Sequence, residues 1–176
     1  MVRASIATRP TPIACNPKNG FDVPLSFIDT NILLYSNDDH DAAKQSIATR
    51  LIHDLYVQHD AVVSIQVLQE YAVNAIAKLK LAPEITRRRV ELFSRFHVVI
   101  LQPEHVIAAL DLQRLHAFSF WDAMIVQSAR AANCAILYSE DMHAGQTIAG
   151  LTIINPFAAV EPKLRKARGA VKGRGK

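Results

Sequence analysis

The chain has 176 residues, 50% of them apolar, and a formal net charge of +4. That length suits one well-buried core and argues against several domains. No apolar run approaches the ~18 residues of a membrane span, so a helical membrane protein is excluded. Cys15 and Cys134 are too few for a disulfide framework or a zinc site, and the seven histidines show no HxxH or HExxH spacing. A protein of the reducing cytoplasm is expected.

Charge is distributed unevenly. Residues 162–176 carry seven basic side chains and no acid, more than the whole chain's net +4, so the remainder has a net charge of −3. The fold itself is therefore mildly acidic and the basic character belongs to a tail. The first twenty residues hold Arg3, Arg9 and Lys18, but Pro10, Pro12 and Pro17 break any amphipathic targeting helix. Residues 1–24 are expected to be a disordered extension, 25–161 the fold and 162–176 a disordered tail, because neither end has enough apolar side chains to offset the entropy of ordering.

In chain order, Leu25 to Ile28 is an apolar run of strand length that ends abruptly in Asp29-Thr30-Asn31. Ligands bind at the carboxyl ends of strands in open α/β sheets, so Asp29 is the first candidate site residue; the same three side chains also suit a helix start. Ile32 to Tyr35 predicts a short helix, and Asp38, Asp39 and Asp41 lie where negative charge favours the start of the next. Residues 41–59 place Ile47, Leu51 and Leu55 at helical spacing. Ala61-Val62-Val63 predicts a second strand, with Ser64 capping a helix whose stripe is Leu68, Tyr71, Ala72, Ala75, Ile76 and Leu79.

Glu70 lies off that stripe near the helix start, at the same edge of the sheet as Asp29. Pro83 opens a helix bearing Arg87-Arg88-Arg89, which is either a solvated face or a phosphate contact. A third strand is expected over 97–101, and a helix over 103–116 with Val106, Ile107, Leu110 and Leu115 inward. Phe118 to Ile125 starts another helix: Trp121, Met124 and Ile125 share its apolar face, and Ser119 with Asp122 matches a capping box. Ala135 to Tyr138 is a fourth strand, ending in Ser139-Glu140-Asp141, and Leu151 to Ile154 a fifth. Strands alternating with helices imply an α/β fold, a five-stranded parallel sheet with helices on both faces.

Asp29, Glu70, Asp122 and Asp141 all fall at the carboxyl edge of this sheet. Two carboxylates ~4 Å apart repel by ~4 kcal/mol at an effective dielectric of 20, so such a cluster partly protonates or recruits a cation. An all-oxygen donor set selects Mg²⁺ or Mn²⁺, which can activate water against a phosphodiester.

Phe27-Ile28-Asp29-Thr30-Asn31, Glu70, Phe120-Trp121-Asp122-Ala123 and Tyr138-Ser139-Glu140-Asp141-Met142, in this order, resemble the acidic motifs of the PIN domain family. The stretch from Glu140 to Gln146 and Ile154-Asn155-Pro156-Phe157 is similar to a subgroup of VapC-type toxins. The resemblance implies a Mg²⁺- or Mn²⁺-dependent endoribonuclease that acts on RNA, forms a homodimer and is blocked by a cognate antitoxin. It makes Asp29, Glu70, Asp122 and Asp141 the metal-binding acids, with Thr30, Asn31 and Ser139 orienting them. Glu140, beside Asp141, leaves the fourth ligand open between the two. An antitoxin helix is expected to find its groove at Ile32 to Tyr35 and the helix of Leu51 and Leu55.

A haloacid-dehalogenase-type phosphatase would need a second Asp two residues after Asp29, where Asn31 stands. A catalytically silent RNA-binding or assembly module of the same fold would lack one of the acids, and none is missing. Lys163, Arg165, Lys166 and Arg168 offer the tail to an RNA backbone. Each phosphate they neutralise contributes ~0.7 to the slope of log affinity against log salt on a single strand. Deleting residues 163–176 should weaken RNA binding at low salt and flatten that slope in filter-binding assays, with the cleavage position unchanged.

Overall fold

Each short apolar run becomes a strand and each periodic run a helix. A computed structural model of the protein describes residues 24–159; both expected tails, apart from Pro24, lie outside the described residues. The elements are β1 (Ser26–Ile28), α1 (Thr30–Tyr35), α2 (Ala42–Gln58), β2 (Ala61–Ser64), α3 (Ile65–Ala77), α4 (Pro83–Phe93), β3 (His97–Val99), α5 (Pro103–His116), α6 (Phe120–Ala131), β4 (Ile136–Tyr138), β5 (Thr147–Ile148) and β6 (Leu151–Ile154). Among the described residues, no helix is long and apolar enough to cross a membrane.

The sheet runs β3-β2-β1-β4-β6-β5. The first five of these strands are parallel, with Phe27 opposite both Val62 and Leu137. Every residue of β1 and β2 is buried, which requires helices on both faces, as the lack of alternation in these runs implied. The chain winds outward from β1 through β2 to β3, then crosses back to lay β4 on β1's other side. The order therefore reverses between β1 and β4, and that crevice is where an open parallel sheet binds ligands.

The sheet has six strands rather than the five expected. The sixth, β5, pairs antiparallel with β6. Its two residues are too short to register as a hydrophobic run, and the connection is a two-residue turn, Ala149-Gly150, with φ of 47° and 88°. Positive φ at both positions matches the right-handed twist of a hairpin, and Gly150 takes it without a Cβ penalty.

Helix caps follow the local sequence. The side chain of Asp41 accepts from the Lys44 backbone N–H at 3.0 Å, and Ser64 accepts from Val67 N–H at 3.3 Å. The core gathers Phe27, Ile28, Val62, Val63, Leu137 and Ile153, all fully buried. Beside it Tyr71 and Phe93 meet edge to face, centroids 5.0 Å apart.

The covered faces of α2 and α5 are rotated from the expected ones, and that of α3 keeps Leu68, Tyr71 and Ala75 but loses one edge residue. In α2 the buried residues are Ala48, Ile52 and Leu55, while Ile47 and Leu51 are only partly covered. In α3, Ile76 is 45% exposed. In α5 the inward residues are Ala109 and Leu112; Val106, Ile107, Leu110 and Leu115 are exposed. Small residues at a helix contact let the backbones approach closely, so an alanine can occupy the buried face while larger side chains stay outside it.

Leu137 has no side-chain exposure and sits in the central strand β4. Leu137→Ala should lower stability by about 2–5 kcal/mol, read as a lower urea midpoint with an unchanged slope.

Candidate active site

Asp29 is the N-cap of α1, and it stands at the switch point because β1 ends one residue before it. Its backbone N–H donates to Tyr138 O of β4 at 3.0 Å, which locks the two strand exits together. One carboxylate oxygen accepts from Thr30 N–H at 2.7 Å. The other accepts from the Ser139 hydroxyl at 2.7 Å and the Asn31 amide at 3.5 Å. All three donors are neutral. The residue is only 8% exposed, and burial pushes its carboxyl up to about 6, with Glu70 and Asp141 adding to the rise and the Ser139 and Thr30 hydrogen bonds opposing it.

The other acids arrive from three further segments. On α3, Glu70 accepts from the Thr30 hydroxyl at 2.8 Å and from Gln66 Nε2 at 2.9 Å. In the first turn of α6, Asp122 accepts the Ser119 hydroxyl at 2.7 Å. This bond replaces the backbone contact of a full capping box, although Ser119 Oγ still caps Asp122 N–H. After β4, Asp141 accepts from Asn31 Nδ2 at 3.1 Å. All four line one cleft of about 510 Å³, together with Thr30, Asn31, Gln66, Trp121 and Glu140.

Glu140 and Asp141 differ sharply in their surroundings. Glu140 forms an ion pair with Lys44 of α2, both side chains being largely covered. Lys44 also bonds the Tyr35 hydroxyl at 3.2 Å and lies 4.6 Å from that ring's centroid. The pairing holds the Lys44 ammonium well above its ordinary range despite the opposing cost of burial. Asp141, by contrast, is exposed.

Among the described residues, no three carboxylate, histidine or cysteine side chains form a ready metal cage. Hydroxyl and amide donors stand between the acids and occupy their oxygens. Two amide oxygens of cleft residues, Asn31 Oδ1 and Gln66 Oε1, are buried without a hydrogen-bond donor among the described residues. Such acceptors are costly unless water or a cation reaches them.

Arg87, Arg88 and Arg89 do not line this cleft. They are exposed on α4, where Arg87 pairs with Glu91 at 2.9 Å. Lys163, Arg165, Lys166 and Arg168 lie outside the described residues. Several cleft residues were not picked out from the sequence as site residues, among them Gln66, Lys78 and Trp121. Gln66 could have been found from its i, i+4 spacing to Glu70. Lys78 reaches the cleft from the end of α3, and no sequence signal marks it. Trp121, expected inward, is 62% exposed at the cleft.

The fold and the acidic switch point define a PIN-type α/β domain, and the family comparison agrees: the PIN domain model matches residues 26–146, so the chain belongs to that family. Among solved structures, VapC20 of Mycobacterium tuberculosis, a sarcin–ricin loop cleaving toxin, superimposes with a TM-score of 0.54 at 19% identity, covering 66% of this chain and 89% of that one. A toxin–antitoxin complex from Klebsiella pneumoniae gives 0.54 at 18% identity over 74% and 97%. A DNA-bound VapBC from Salmonella typhimurium gives 0.55, also at 18% identity over 74% and 97%. No curated protein matches the sequence.

Asp29 carries a stability signature. Its folded carboxyl keeps its proton to about pH 6, whereas the ordinary value is 3.8. The folded state therefore binds more protons between these values, and this contribution, fully present below about pH 4, is lost as pH rises through 6. In metal-free protein Asp29→Asn should be more stable than the parent at pH 7, by on the order of 2–3 kcal/mol, and the difference should shrink toward pH 4. Urea melts across this range check it; parallel stability curves for the two proteins would contradict it.

Proposed function

We propose that this chain is a metal-dependent endoribonuclease that hydrolyses RNA phosphodiester bonds and serves as the toxin of a toxin–antitoxin pair. The observation that carries this is the convergence of Asp29, Glu70, Asp122 and Asp141 on one cleft at the β1/β4 switch point, with neutral donors alone on Asp29. Membership of the PIN family supports the nuclease chemistry. The fold likeness to VapC20 and to VapBC complexes supports an antitoxin partner.

The donor chemistry fits Mg²⁺ or Mn²⁺: four carboxylates and two unsatisfied amide oxygens are all hard ligands, and the cleft lining holds no thiolate and one imidazole, His40. Asp29, Glu70, Asp122 and Asp141 would hold the ion. When bound, it supplies charge neutralisation at the scissile phosphate and acidifies water for hydrolysis. The protein's own part is orientation. Ser139 and Asn31 aim one oxygen of Asp29, while Thr30 and Gln66 hold both oxygens of Glu70. Asn31 steadies Asp141 as well, which couples the β1 and β4 exits. Because Lys44 engages Glu140, Asp141 is the better fourth acid.

In the expected antitoxin groove Ile32, Leu33 and Leu55 are buried, while Leu34, Tyr35 and Leu51 stay partly exposed. A second candidate is an open groove of about 230 Å³ between α2 and α4, whose apolar lining is Ile52, Tyr56, Leu92, Phe93 and Phe96. The exposed strip of Val106, Ile107 and Leu110 on α5 supports a homodimer.

Asp29→Asn and Asp122→Asn should each lower kcat for RNA cleavage by orders of magnitude while the circular dichroism spectrum is retained. Glu140→Gln should cost less than Asp141→Asn. Excess EDTA should abolish cleavage, and full activity in EDTA would overturn the metal assignment.

A further inference from the structure

A cleft walled by acids is a poor place to hold a polyanion by charge. Among its lining residues, Lys78 is the one lysine or arginine. Affinity for RNA at this site must therefore come in part from contacts indifferent to charge. Trp121 offers one. It directly precedes Asp122 in the first turn of α6, so its ring is anchored one residue from an acid of the site.

Its placement is fixed from two sides. Gln66 Nε2 donates to the Trp121 backbone oxygen at 3.4 Å while also bonding Glu70, so one side chain ties the tryptophan to a second acid. Phe120 meets the indole at 5.4 Å between centroids and 69° between planes, an edge-type contact that does not cover the ring by stacking. The residue stays 62% exposed, and its indole N–H has no partner among the described residues. A large apolar ring normally escapes water when it can. Here it shares the cleft with polar Gln66, Glu70, Asn74 and Asp122 as well as apolar Leu34, Leu79 and Ile125, a mixed lining. That setting differs from the apolar strip on α5 and suits a base better than a protein surface.

We propose that Trp121 is the stacking platform for an unpaired RNA base next to the scissile phosphate. The inference rests on the nuclease assignment above and deepens it. A base can stack on the ring only if it has left a duplex, whereas its chemical identity matters little, because every base presents a π-face. Trp121 thus selects unpaired segments, and sequence preference must arise elsewhere.

Trp121 is the chain's single tryptophan, so its fluorescence reports this one position. A short mixed-sequence single-stranded RNA, titrated with calcium in place of magnesium and again in EDTA, should quench it in at least one condition. The matching duplex should not. Trp121→Ala should weaken binding of the single strand by about 5- to 150-fold, the equivalent of ~1–3 kcal/mol per stacked base, and Trp121→Phe should restore most of it. With magnesium, Trp121→Ala should raise KM far more than it lowers kcat. Because the side chain is exposed, these variants should fold normally. No quenching in either condition, equal affinity of Trp121→Ala and parent, or a fall in kcat at constant KM would each overturn the stacking role. So would dissociation of an oligomer by Trp121→Ala, which would make the ring a protein contact. Parent protein that binds and quenches but never cleaves would refute the nuclease assignment and leave the stacking surface standing.

Discussion

A carboxylate at the end of a fully buried strand shapes everything around it. Asp29 cannot be solvated by bulk water, and with no basic side chain bonded to it the ionised form survives only through hydrogen bonds. Thr30, Asn31 and Ser139 supply them, and each sits where it does because β1 and β4 run side by side and end together. The strand register is therefore also the register of the site. Slipping β4 by one residue would turn Ser139 away from Asp29 and bury its neighbour instead.

The surrounding helices extend this arrangement outward. Thr30 opens α1 and, through its hydroxyl, sets the position of Glu70 on α3. Gln66 then carries the connection from α3 to α6 at Trp121. Lys44 lies in the first turn of α2, where a positive charge is disfavoured by the helix dipole. Glu140 offsets that penalty, and the pairing fastens the exit of β4 to α2, with Phe157 packed edge-on against Tyr35 at 5.0 Å. Elements far apart in the chain thus meet around a single loop. Removing one partner would leave a covered charge unpaired, which is costlier than never having built the pair.

The exposed apolar surfaces lie away from the acids. The groove between α2 and α4 and the strip on α5 share no residue with the cleft.

The sequence by itself determined five of the six strands and placed the four acids near strand ends and helix starts. Buried parallel strands must be short continuous apolar runs, and the first three here stop at polar residues that cap the next helix, Asp29, Ser64 and Gln102. β5 escaped notice because two residues carry no periodicity. Tertiary structure decided what periodicity cannot express. An apolar stripe states that a helix has a covered face, but which side is covered depends on how closely its neighbour approaches, and Ala109 beat Ile107 to the interior of α5. For the same reason Trp121, apolar and correctly spaced for the core, faces the cleft. The different surroundings of Glu140 and Asp141 likewise come from Lys44, 96 residues from Glu140 in the chain, because sequence neighbours need not share neighbours in space.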